Sequence, residues 1–279
     1  MATRSSVINV MIRAADRAAR RLRRDFGEVE NLQVTRKGPA DFVSAADLRA
    51  DQILREELRK ARPAYGLLTE ESGASGGTAE AERRWIIDPL DGTTNFLHGL
   101  PHFAISIGLE ERGEIIAGVV YDPIKDDLFY AEKGVGAYLN DRRIRVSGRH
   151  RLADALVATG IPFKGRGGEE VFVAELDLFM RETAGVRRWG VASLDLAYVA
   201  AGRYEAFWER GLAPWDIAAG LLLVREAGGY ITTIPGAPIT LDSDSLLAAN
   251  DALHPTLVRM MAGVDDKAKA GVAAGRRAP

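Results

Sequence analysis

The chain contains no cysteine, and this absence excludes several kinds of chemistry at once. Disulfide bridges, thiolate metal sites and cysteine nucleophiles all need a thiol. A chain without cysteine is compatible with a reducing compartment, so we expect a cytoplasmic protein. The opening residues lack the apolar core of a signal peptide, because arginines interrupt the sequence from Arg13 onward.

A strong charge of one sign and long apolar runs are absent as well. The formal net charge is −2, so bulk charge argues against direct binding to nucleic acid. No apolar run is long enough to span a bilayer, so we expect no membrane association. The 279 residues are 47% hydrophobic and 27% charged, which is typical of a globular protein with a large core.

The spacing of apolar residues predicts a mixture of helices and strands. Helical spacing over 7–22 predicts an amphipathic first helix. Ser44, with Asp47 three residues later, resembles a capping box at the start of a second helix. Residues 102–146 are rich in strand patterns, with a hairpin turn at Glu111 and Arg112. Beyond them, strands and helices alternate.

This change of pattern predicts two lobes that share one active site. The change falls near Ser147, so we predict an N-terminal α+β lobe over 1–147 and a C-terminal α/β lobe over 148–263. Residues 73–82 are small, polar and rich in glycine, which predicts a mobile loop. Residues 264–279 are rich in Ala, Gly, Lys and Arg, which predicts a disordered tail.

The most informative segment is 85–95, in which a strand of Trp and Ile leads into Asp-Pro-Leu-Asp-Gly-Thr-Thr-Asn. Asp88 and Asp91 lie three residues apart across Pro89, whose fixed φ stiffens the turn and lets the Leu90 carbonyl point outward. Carboxylates and a carbonyl suit Mg²⁺, and free N–H groups at a helix start suit phosphate. A polar turn that merely caps the helix is the alternative, and the spacing alone leaves both open.

The segment resembles the signature of the inositol monophosphatase family, the Mg²⁺-dependent, lithium-sensitive phosphomonoesterases. Other segments are similar to family motifs and occur in the same order: 37–47, the Glu-Glu segment 67–72, the Trp-Asp segment 215–220 and the Gly-Gly segment 226–229. The resemblance covers residues 5–262. It implies an α/β fold, the layered αβαβα sandwich of that phosphatase superfamily.

The resemblance implies a ligand set for two to three Mg²⁺ ions. Glu70, Asp88 and the Leu90 carbonyl would hold the first ion. Asp88, Asp91 and Asp216 would hold the second, so that Asp88 bridges the two. A third, weaker ion would be associated with Glu70 and water. Two such ions can clamp the attacking and leaving oxygens of an in-line displacement.

Catalytic and phosphate-binding roles are implied for further residues. Asp47 and Thr93 match the pair that positions and helps to activate the attacking water, and Glu70 is the third catalytic candidate. The amides from Gly92 onward, with the hydroxyls of Thr93 and Thr94, would receive the phosphate.

Three of these acids also have a purely structural interpretation. Asp47 could only cap its helix, and Glu70 could be a solvated loop residue beside Glu71. Asp216 could be a first-turn acid of the helix that begins near Trp215. The matches to the family motifs favour the functional interpretation in each case. A functional role for Lys37, the first residue of the segment 37–47, has weaker support.

Substrate recognition depends on a separate set of residues. Glu209 matches the glutamate that hydrogen-bonds inositol hydroxyls, and Asp91 and Ala192 are the other implied contacts. Val191 and Ser193 depart from the family pattern, and we interpret Val191 as removing a hydroxyl near the polyol. We predict hydrolysis of myo-inositol monophosphate or a similar polyol phosphate. Histidinol phosphate, sugar phosphates and 3′,5′-bisphosphonucleotides are the competing substrates.

A second hypothesis belongs to a different class of function. Bacterial proteins similar to this one can act as binding partners of the transcription and ribosomal-RNA machinery. Clustered arginines could form such a surface here: Arg142, Arg143, Arg145, Arg149 and Arg151, or Arg187 and Arg188. The resemblance also implies a homodimer.

Overall fold

The computed structural model describes residues 4–28, 34–38, 41–77, 82–162 and 167–275, with side chains described over 4–28, 44–77, 82–162 and 167–264. The helices are α1 (Ser6–Phe26), α2 (Ala45–Ala61), α3 (Thr93–Leu97), α4 (Glu169–Glu182), α5 (Ala192–Ala200), α6 (Pro214–Glu226) and α7 (His254–Gly275). The strands are β1 (Val34–Gly38), β2 (Asp41–Ser44), β3 (Gly66–Thr69), β4 (Gly73–Gly76), β5 (Arg83–Asp91), β6 (Ala104–Glu111), β7 (Glu114–Asp122), β8 (Asp127–Glu132), β9 (Gly136–Leu139), β10 (Arg142–Arg143), β11 (Leu156–Thr159), β12 (Gly185–Arg187), β13 (Ala206–Arg210), β14 (Tyr230–Thr232) and β15 (Ser245–Ala249).

Helices and sheets alternate in five layers. Helices α1 and α2 pack on an eight-stranded sheet of order β10-β9-β8-β7-β6-β5-β3-β4, in which only the β3–β5 pairing is parallel. Helices α5 and α6 lie between that sheet and a five-stranded sheet of order β12-β11-β13-β15-β14. Helices α4 and α7 cover the outer face of the second sheet. The layer order is therefore the predicted αβαβα.

The covering of both sheet faces explains the apolar run at residues 85–87 of β5. Successive side chains of a strand point to opposite faces. Trp85 and Ile87 accordingly join the core formed with α1 and α2, whereas Ile86 joins the core formed with α5 and α6. All three are fully buried. A strand segment covered on both faces favours apolar residues at successive positions, so Asp88 and Asp91, which follow this run, stand out as candidates for function.

Helix α6 approaches the first sheet closely because glycines lie beneath it. A methyl group at Gly108 would lie 2.8 Å from the Cβ of Ala218, and one at Gly118 would lie 2.9 Å from the carbonyl oxygen of Ala219. Atoms at such distances would overlap. The two glycines therefore set the height of α6, which carries Asp216 in its first turn.

Most predicted elements are present, including the capping box at the start of α2 and the hairpin of β6 and β7. The segment 73–82 differs from the prediction of a mobile loop, because its first four residues form the edge strand β4. Residues of this strand are Gly, Ala and Ser, and backbone hydrogen bonds to β3 hold it without an apolar signal. Residues 78–81 lie outside the described residues. At the end of the strand-rich segment 102–146, only the two-residue β10 is present.

The C-terminal end differs as well. Helix α7 runs on to Gly275, past residue 264, where we expected disorder. Its alanine-rich sequence has high helix propensity. Helices α5 and α6, from the second half of the chain, share one core with the first sheet. This core joins the two predicted lobes, so the lobe boundary near Ser147 stays a prediction. Among the described helices, none combines the length and the apolar character needed to cross a bilayer.

Candidate active site

The two aspartates of the signature segment lie at a bulge at the end of β5. Pairing with β6 is regular up to Asp88, opposite Ser106, and resumes at Asp91, opposite Ala104. The Oδ1 atom of Asp88 accepts a hydrogen bond from the N–H of Leu90 at 2.9 Å, which fixes the turn around the proline. The bulge thus turns both carboxylates and the intervening backbone away from the ladder.

Gly92 is the point at which the chain changes from strand to helix. Its φ of 93° lies in the left-handed region that favours glycine. A Cβ there would also lie 2.8 Å from a methyl group of Val191. Helix α3 begins at the next residue, and the first N–H groups of a helix have no intrahelical acceptor. Backbone donors are therefore available beside the two carboxylates.

One cavity of about 440 Å³ brings together residues from both halves of the chain. Its lining includes the predicted metal-binding group Glu70, Asp88, Leu90, Asp91 and Asp216. It includes the predicted phosphate-binding group Gly92, Thr93 and Thr94. It also includes Ala192 and Glu209 from the predicted substrate-binding group. Asp47 lies behind the cavity wall and reaches it through Thr93.

The two motif carboxylates are held where ionisation is unfavourable. Asp88 is 2% exposed, and burial, together with the charges of Glu70, Asp91 and Asp216, raises its pKa well above the usual range. Burial also raises the pKa of Asp91 to about 6, although the N–H of Ser193 donates to its Oδ2 at 2.7 Å. Buried acids that oppose one another's ionisation favour a bound cation.

Asp47 forms part of both a helix cap and the cavity wall. Its Oδ2 atom accepts the N–H of Ser44 at 2.8 Å, as part of the capping box, and it also accepts the hydroxyl of Ser44. Its Oδ1 atom lies 2.8 Å from the Oγ1 of Thr93, which is also 3.1 Å from the carbonyl oxygen of Leu90. Burial raises the pKa of Asp47 above its usual value. The structure therefore makes the two interpretations of Asp47 compatible.

The other two acids come from separate elements. Glu70 follows β3, and its N–H donates to the carbonyl oxygen of Ile87 at 3.1 Å, which ties it to β5. Asp216 lies in the first turn of α6, where its Oδ2 accepts the N–H of Ala213 at 2.7 Å. The hydroxyl of Ser106 donates to the carbonyl oxygen of Trp215 at 3.2 Å and anchors this turn to β6.

The substrate side of the cavity shows one departure from our interpretation of the sequence. Val191 is fully buried and packs against Gly92, so it is a core residue and not a cavity contact. Its apolar side chain supports the turn of the signature segment. Ala192 is 7% exposed and lines the cavity. The carboxylate of Glu209 lies directly over Gly160, where any Cβ would collide with it.

Several residues of the cavity were not predicted as site residues, among them Asn95 and Gly160. Asn95 donates through Nδ2 to the carbonyl oxygens of His102, at 2.9 Å, and Trp189, at 2.8 Å, so it joins α3 to the segment between β12 and α5. Its place in the signature segment was the available signal. Gly160 had no sequence signal, because its role depends on the position of Glu209.

The chemistry of the donor set fits Mg²⁺. Four of the five carboxylates that line the cavity belong to the predicted metal-binding group together with Leu90, whose main chain offers a carbonyl, and hard cations prefer such oxygen ligands. Within the described residues, no three His, Asp or Glu side chains already converge on a single point. The acids share a cavity, and because like charges repel, close convergence requires a cation between them. The side chain of Lys37 lies outside the described residues.

Comparison with known proteins places the chain in a family. The sequence model of the inositol monophosphatase family matches residues 3–264. The chain belongs to the inositol monophosphatase family.

Individual relatives agree with this placement. The chain is 55% identical over 256 residues to the inositol-1-monophosphatase of Mesorhizobium japonicum, which covers 92% of this chain and 96% of that protein. It is 44% identical over 255 residues to the Nus factor SuhB of Pseudomonas aeruginosa, covering 90% and 94% respectively. The crystal structure of the extragenic suppressor protein suhB from Bartonella henselae superposes with a TM-score of 0.89 at 53% identity, covering 92% of this chain and 98% of that chain. The predicted family, the fold class and the assignment as a phosphatase-family enzyme are confirmed.

Proposed function

We propose that this member of the inositol monophosphatase family hydrolyses myo-inositol monophosphate, or a similar polyol phosphate, with two to three Mg²⁺ ions. The observation that carries the proposal is the cavity in which Glu70, Asp88, Asp91 and Asp216 lie beside the start of α3. Cation ligands and backbone phosphate donors then meet at one point, as metal-assisted phosphoryl transfer requires.

The carboxylates and the Leu90 carbonyl would hold the ions. Asp88 would belong both to the set that contains Glu70 and Leu90 and to the set that contains Asp91 and Asp216. Bound Mg²⁺ would supply positive charge to the phosphoryl oxygens and would lower the pKa of water. The N–H groups at the start of α3 and the hydroxyl of Thr94 would orient the phosphate. Because these donors are fixed by the fold, they need no reorganisation as charge develops on the phosphoryl group.

Asp47 and Thr93 are the proposed water-positioning pair. When Thr93 donates its hydroxyl hydrogen to Asp47, the lone pairs of its oxygen remain available to a water in the cavity. A proton from that water can pass to Thr93 while the Thr93 proton passes to Asp47. Burial makes the Asp47 carboxylate more basic than an exposed aspartate, which favours this direction.

The polyol is the less constrained part of the proposal. Glu209, from β13, and Ala192, at the start of α5, line the part of the cavity that the second half of the chain contributes. A carboxylate can accept two sugar hydroxyls, so this side suits a polyol leaving group. The name of the Mesorhizobium relative supports inositol monophosphate as the first substrate to test.

Phosphate release from a panel of monoesters tests the proposal. The panel contains inositol, histidinol and sugar phosphates and a 3′,5′-bisphosphonucleotide, each with Mg²⁺, with a chelator and with lithium. We expect turnover that depends on Mg²⁺ and is inhibited by lithium, and a loss of turnover in Asp88→Asn. Asp177→Asn is the matched control, because Asp177 is a solvent-facing aspartate of α4 paired with Arg181. Turnover that survives chelation would contradict the metal mechanism.

A partner role in transcription is the second candidate, favoured by the 44% identity to the Pseudomonas protein named Nus factor SuhB. The arginines at 142, 143, 145, 149, 151, 187 and 188 are all exposed. Two of them form ion pairs, Arg149 with Glu205 and Arg151 with Asp154, which reduces the free positive charge. A cellular phenotype that persists in Asp88→Asn, after phosphatase activity is lost, would support this role. The homodimer and the cytoplasmic location stay predictions.

A further inference from the structure

Arg188 lines the active-site cavity, although neither the proposed metal site nor the proposed phosphate site uses it. Across the described ranges of the chain, it is the single basic side chain in that lining. Arg188 is also exposed, so it lies at the mouth of the cavity. Five acids line the same cavity: Glu70, Asp88, Asp91, Glu209 and Asp216. An anionic substrate therefore passes one positive charge on its way to the acidic interior.

Gly190 gives the guanidinium of Arg188 its place at the cavity. The φ of Gly190 is 73°, in the left-handed region that favours glycine. A Cβ at this position would lie 2.5 Å from Nη1 and 3.1 Å from Cζ of Arg188, so a larger residue would displace the head group. Gly190 and Ala192 both line the cavity. The guanidinium thus lies against the backbone that leads into Ala192, one of the predicted substrate-binding residues.

The hydrogen-bond donors of Arg188 remain available to a ligand. Among the residues that the structure describes, Arg188 forms no hydrogen bond and no ion pair. The neighbouring Arg187, at the end of β12, differs in both respects that matter: its Nη1 donates to the carbonyl oxygen of Val186 at 3.0 Å, and it does not line the cavity. A guanidinium carries five N–H donors in a planar fork that matches phosphate and carboxylate oxygens.

Arg188 and Glu209 lie within electrostatic reach of the same buried residue, Asp195 in α5. Burial raises the pKa of Asp195 well above its usual range, the charge of Glu209 raises it further, and the charge of Arg188 opposes the shift. Both side chains also line the part of the cavity that the second half of the chain contributes. A leaving group in this part therefore meets a carboxylate, which accepts hydroxyls, and a guanidinium, which binds anions.

We propose that Arg188 is a specificity-determining residue that binds a second anionic group, a phosphate or a carboxylate, on the leaving group of the substrate. The inference rests on the proposed function, because it takes the first phosphate to be hydrolysed beside the acidic group. A polyol with one phosphate uses Glu209 and leaves Arg188 unused. A phosphorylated polyol with a further negative group uses both side chains, so this substrate class is preferred over the matching monophosphate.

A series of three substrates that differ at one end measures the contribution of Arg188. Glucitol 6-phosphate, 6-phosphogluconate and glucitol 1,6-bisphosphate carry a hydroxyl, a carboxylate and a phosphate, respectively, at the end away from the shared phosphate. A hydrogen-bonded charge pair contributes enough for about a 10-fold effect or more. We expect KM to be lower by about that factor for the two substrates with a charged end. Because the contact is remote from the reacting phosphate, kcat should differ little along the series.

Substitutions at position 188 should then change the ratio of KM values within the series. Arg188→Gln removes the charge and should abolish the preference for a charged end. Arg188→Lys keeps the charge but lacks the planar fork, so it should retain part of the preference. Arg187→Gln is the matched control, because it removes the same charge one residue away and outside the cavity lining. Both arginines are exposed, so the melting temperature should change little in each variant.

Three results would overturn the proposal: equal KM values along the series in the unmodified protein, a preference that persists in Arg188→Gln, or an equal loss of preference in Arg187→Gln. A rise in KM by the same factor for all three substrates in Arg188→Gln would overturn it too, because Arg188 would then contact the reacting phosphate. In each of these cases the proposed hydrolysis of polyol phosphates still stands. If the unmodified protein hydrolyses neither this series nor the monoester panel, the proposed function fails and the role of Arg188 fails with it.

Discussion

Exchanging one methyl group between β6 and α6 tests whether the packing of this helix controls the active site. In Gly108→Ala, the new Cβ would lie 2.8 Å from the Cβ of Ala218, whereas carbon atoms pack best at about 3.5–4.0 Å. Helix α6 must therefore retreat by about 1 Å. Asp216 lies two residues before Ala218 in the same helix and has to move with it.

The expected magnitude follows from two opposing terms. Forcing a methyl group into a packed interface costs about 1–3 kcal/mol. Replacing glycine by alanine also restricts the unfolded chain, which returns about 0.4–1 kcal/mol. The net destabilisation of Gly108→Ala is then about 0–2.6 kcal/mol, with a central value of about 1.3 kcal/mol. For a protein of this size, each kcal/mol lowers the melting temperature by about 2–4 °C.

The double variant Gly108→Ala/Ala218→Gly moves the methyl group from helix to strand. The close contact is then absent, because Ala218→Gly removes the Cβ atom at 2.8 Å. The next neighbours of the new Cβ at position 108 lie at 3.5 Å. Glycine inside α6 costs about 1 kcal/mol in helix propensity, so Ala218→Gly alone is also destabilising. We expect the double variant to be more stable than the sum of the two single changes by about 0.5–3 kcal/mol.

Urea unfolding of the metal-free protein gives the stability terms, and the Mg²⁺ concentration for half-maximal activity gives the effect on the site. A ligand displaced by about 1 Å can reduce activity by about 100-fold. The Mg²⁺ concentration for half-maximal activity should therefore be higher in Gly108→Ala than in the unmodified protein, and lower in the double variant than in Gly108→Ala. Gly148→Ala is the control, since nothing lies within 4 Å of a Cβ there. The reasoning would be refuted if the stability changes of the two single variants added up to that of the double variant, or if Gly108→Ala left the Mg²⁺ requirement unchanged.

Three further predictions concern the cavity. Thr93→Val removes the hydroxyl that contacts Asp47 and should lower kcat by about 100-fold or more with little change in melting temperature; an unchanged kcat would exclude Asp47 and Thr93 as the water-positioning pair. The pKa of Asp91, raised from 3.8 to about 6, means that the folded state binds more protons than the unfolded state between these values. Asp91 therefore destabilises the metal-free protein increasingly as pH rises from about 4 to about 6, so the stability gain of Asp91→Asn should grow across that window in urea unfolding and then level off; a gain that is independent of pH would contradict this. Gly160→Ala should push the Glu209 side chain aside, raising KM for inositol monophosphate while the melting temperature stays close to that of the unmodified protein, and an unchanged KM would remove Glu209 from substrate binding.

Local patterns were sufficient wherever a residue's neighbours in sequence decide its environment. The capping box of Ser44 and Asp47 and the hairpin of β6 and β7 involve residues close along the chain, and both are present as predicted. Strand β4 was missed because its residues are small and its pairing depends on the backbone of β3. Val191 was misinterpreted because its contact with Gly92 spans about a hundred positions of sequence.

The motifs along the chain indicated the type of site: their residues and their order resemble those of the inositol monophosphatase family, whereas carboxylates beside a helix start, taken alone, could equally act as caps. Tertiary structure alone decided which groups lie together. The glycines of β6 and β7 set the height of α6 and thereby of Asp216, and the fold brings Arg188 into the same cavity as Glu209. Such relations depend on packing between distant segments, and no periodicity or motif in a single chain encodes a distance across layers.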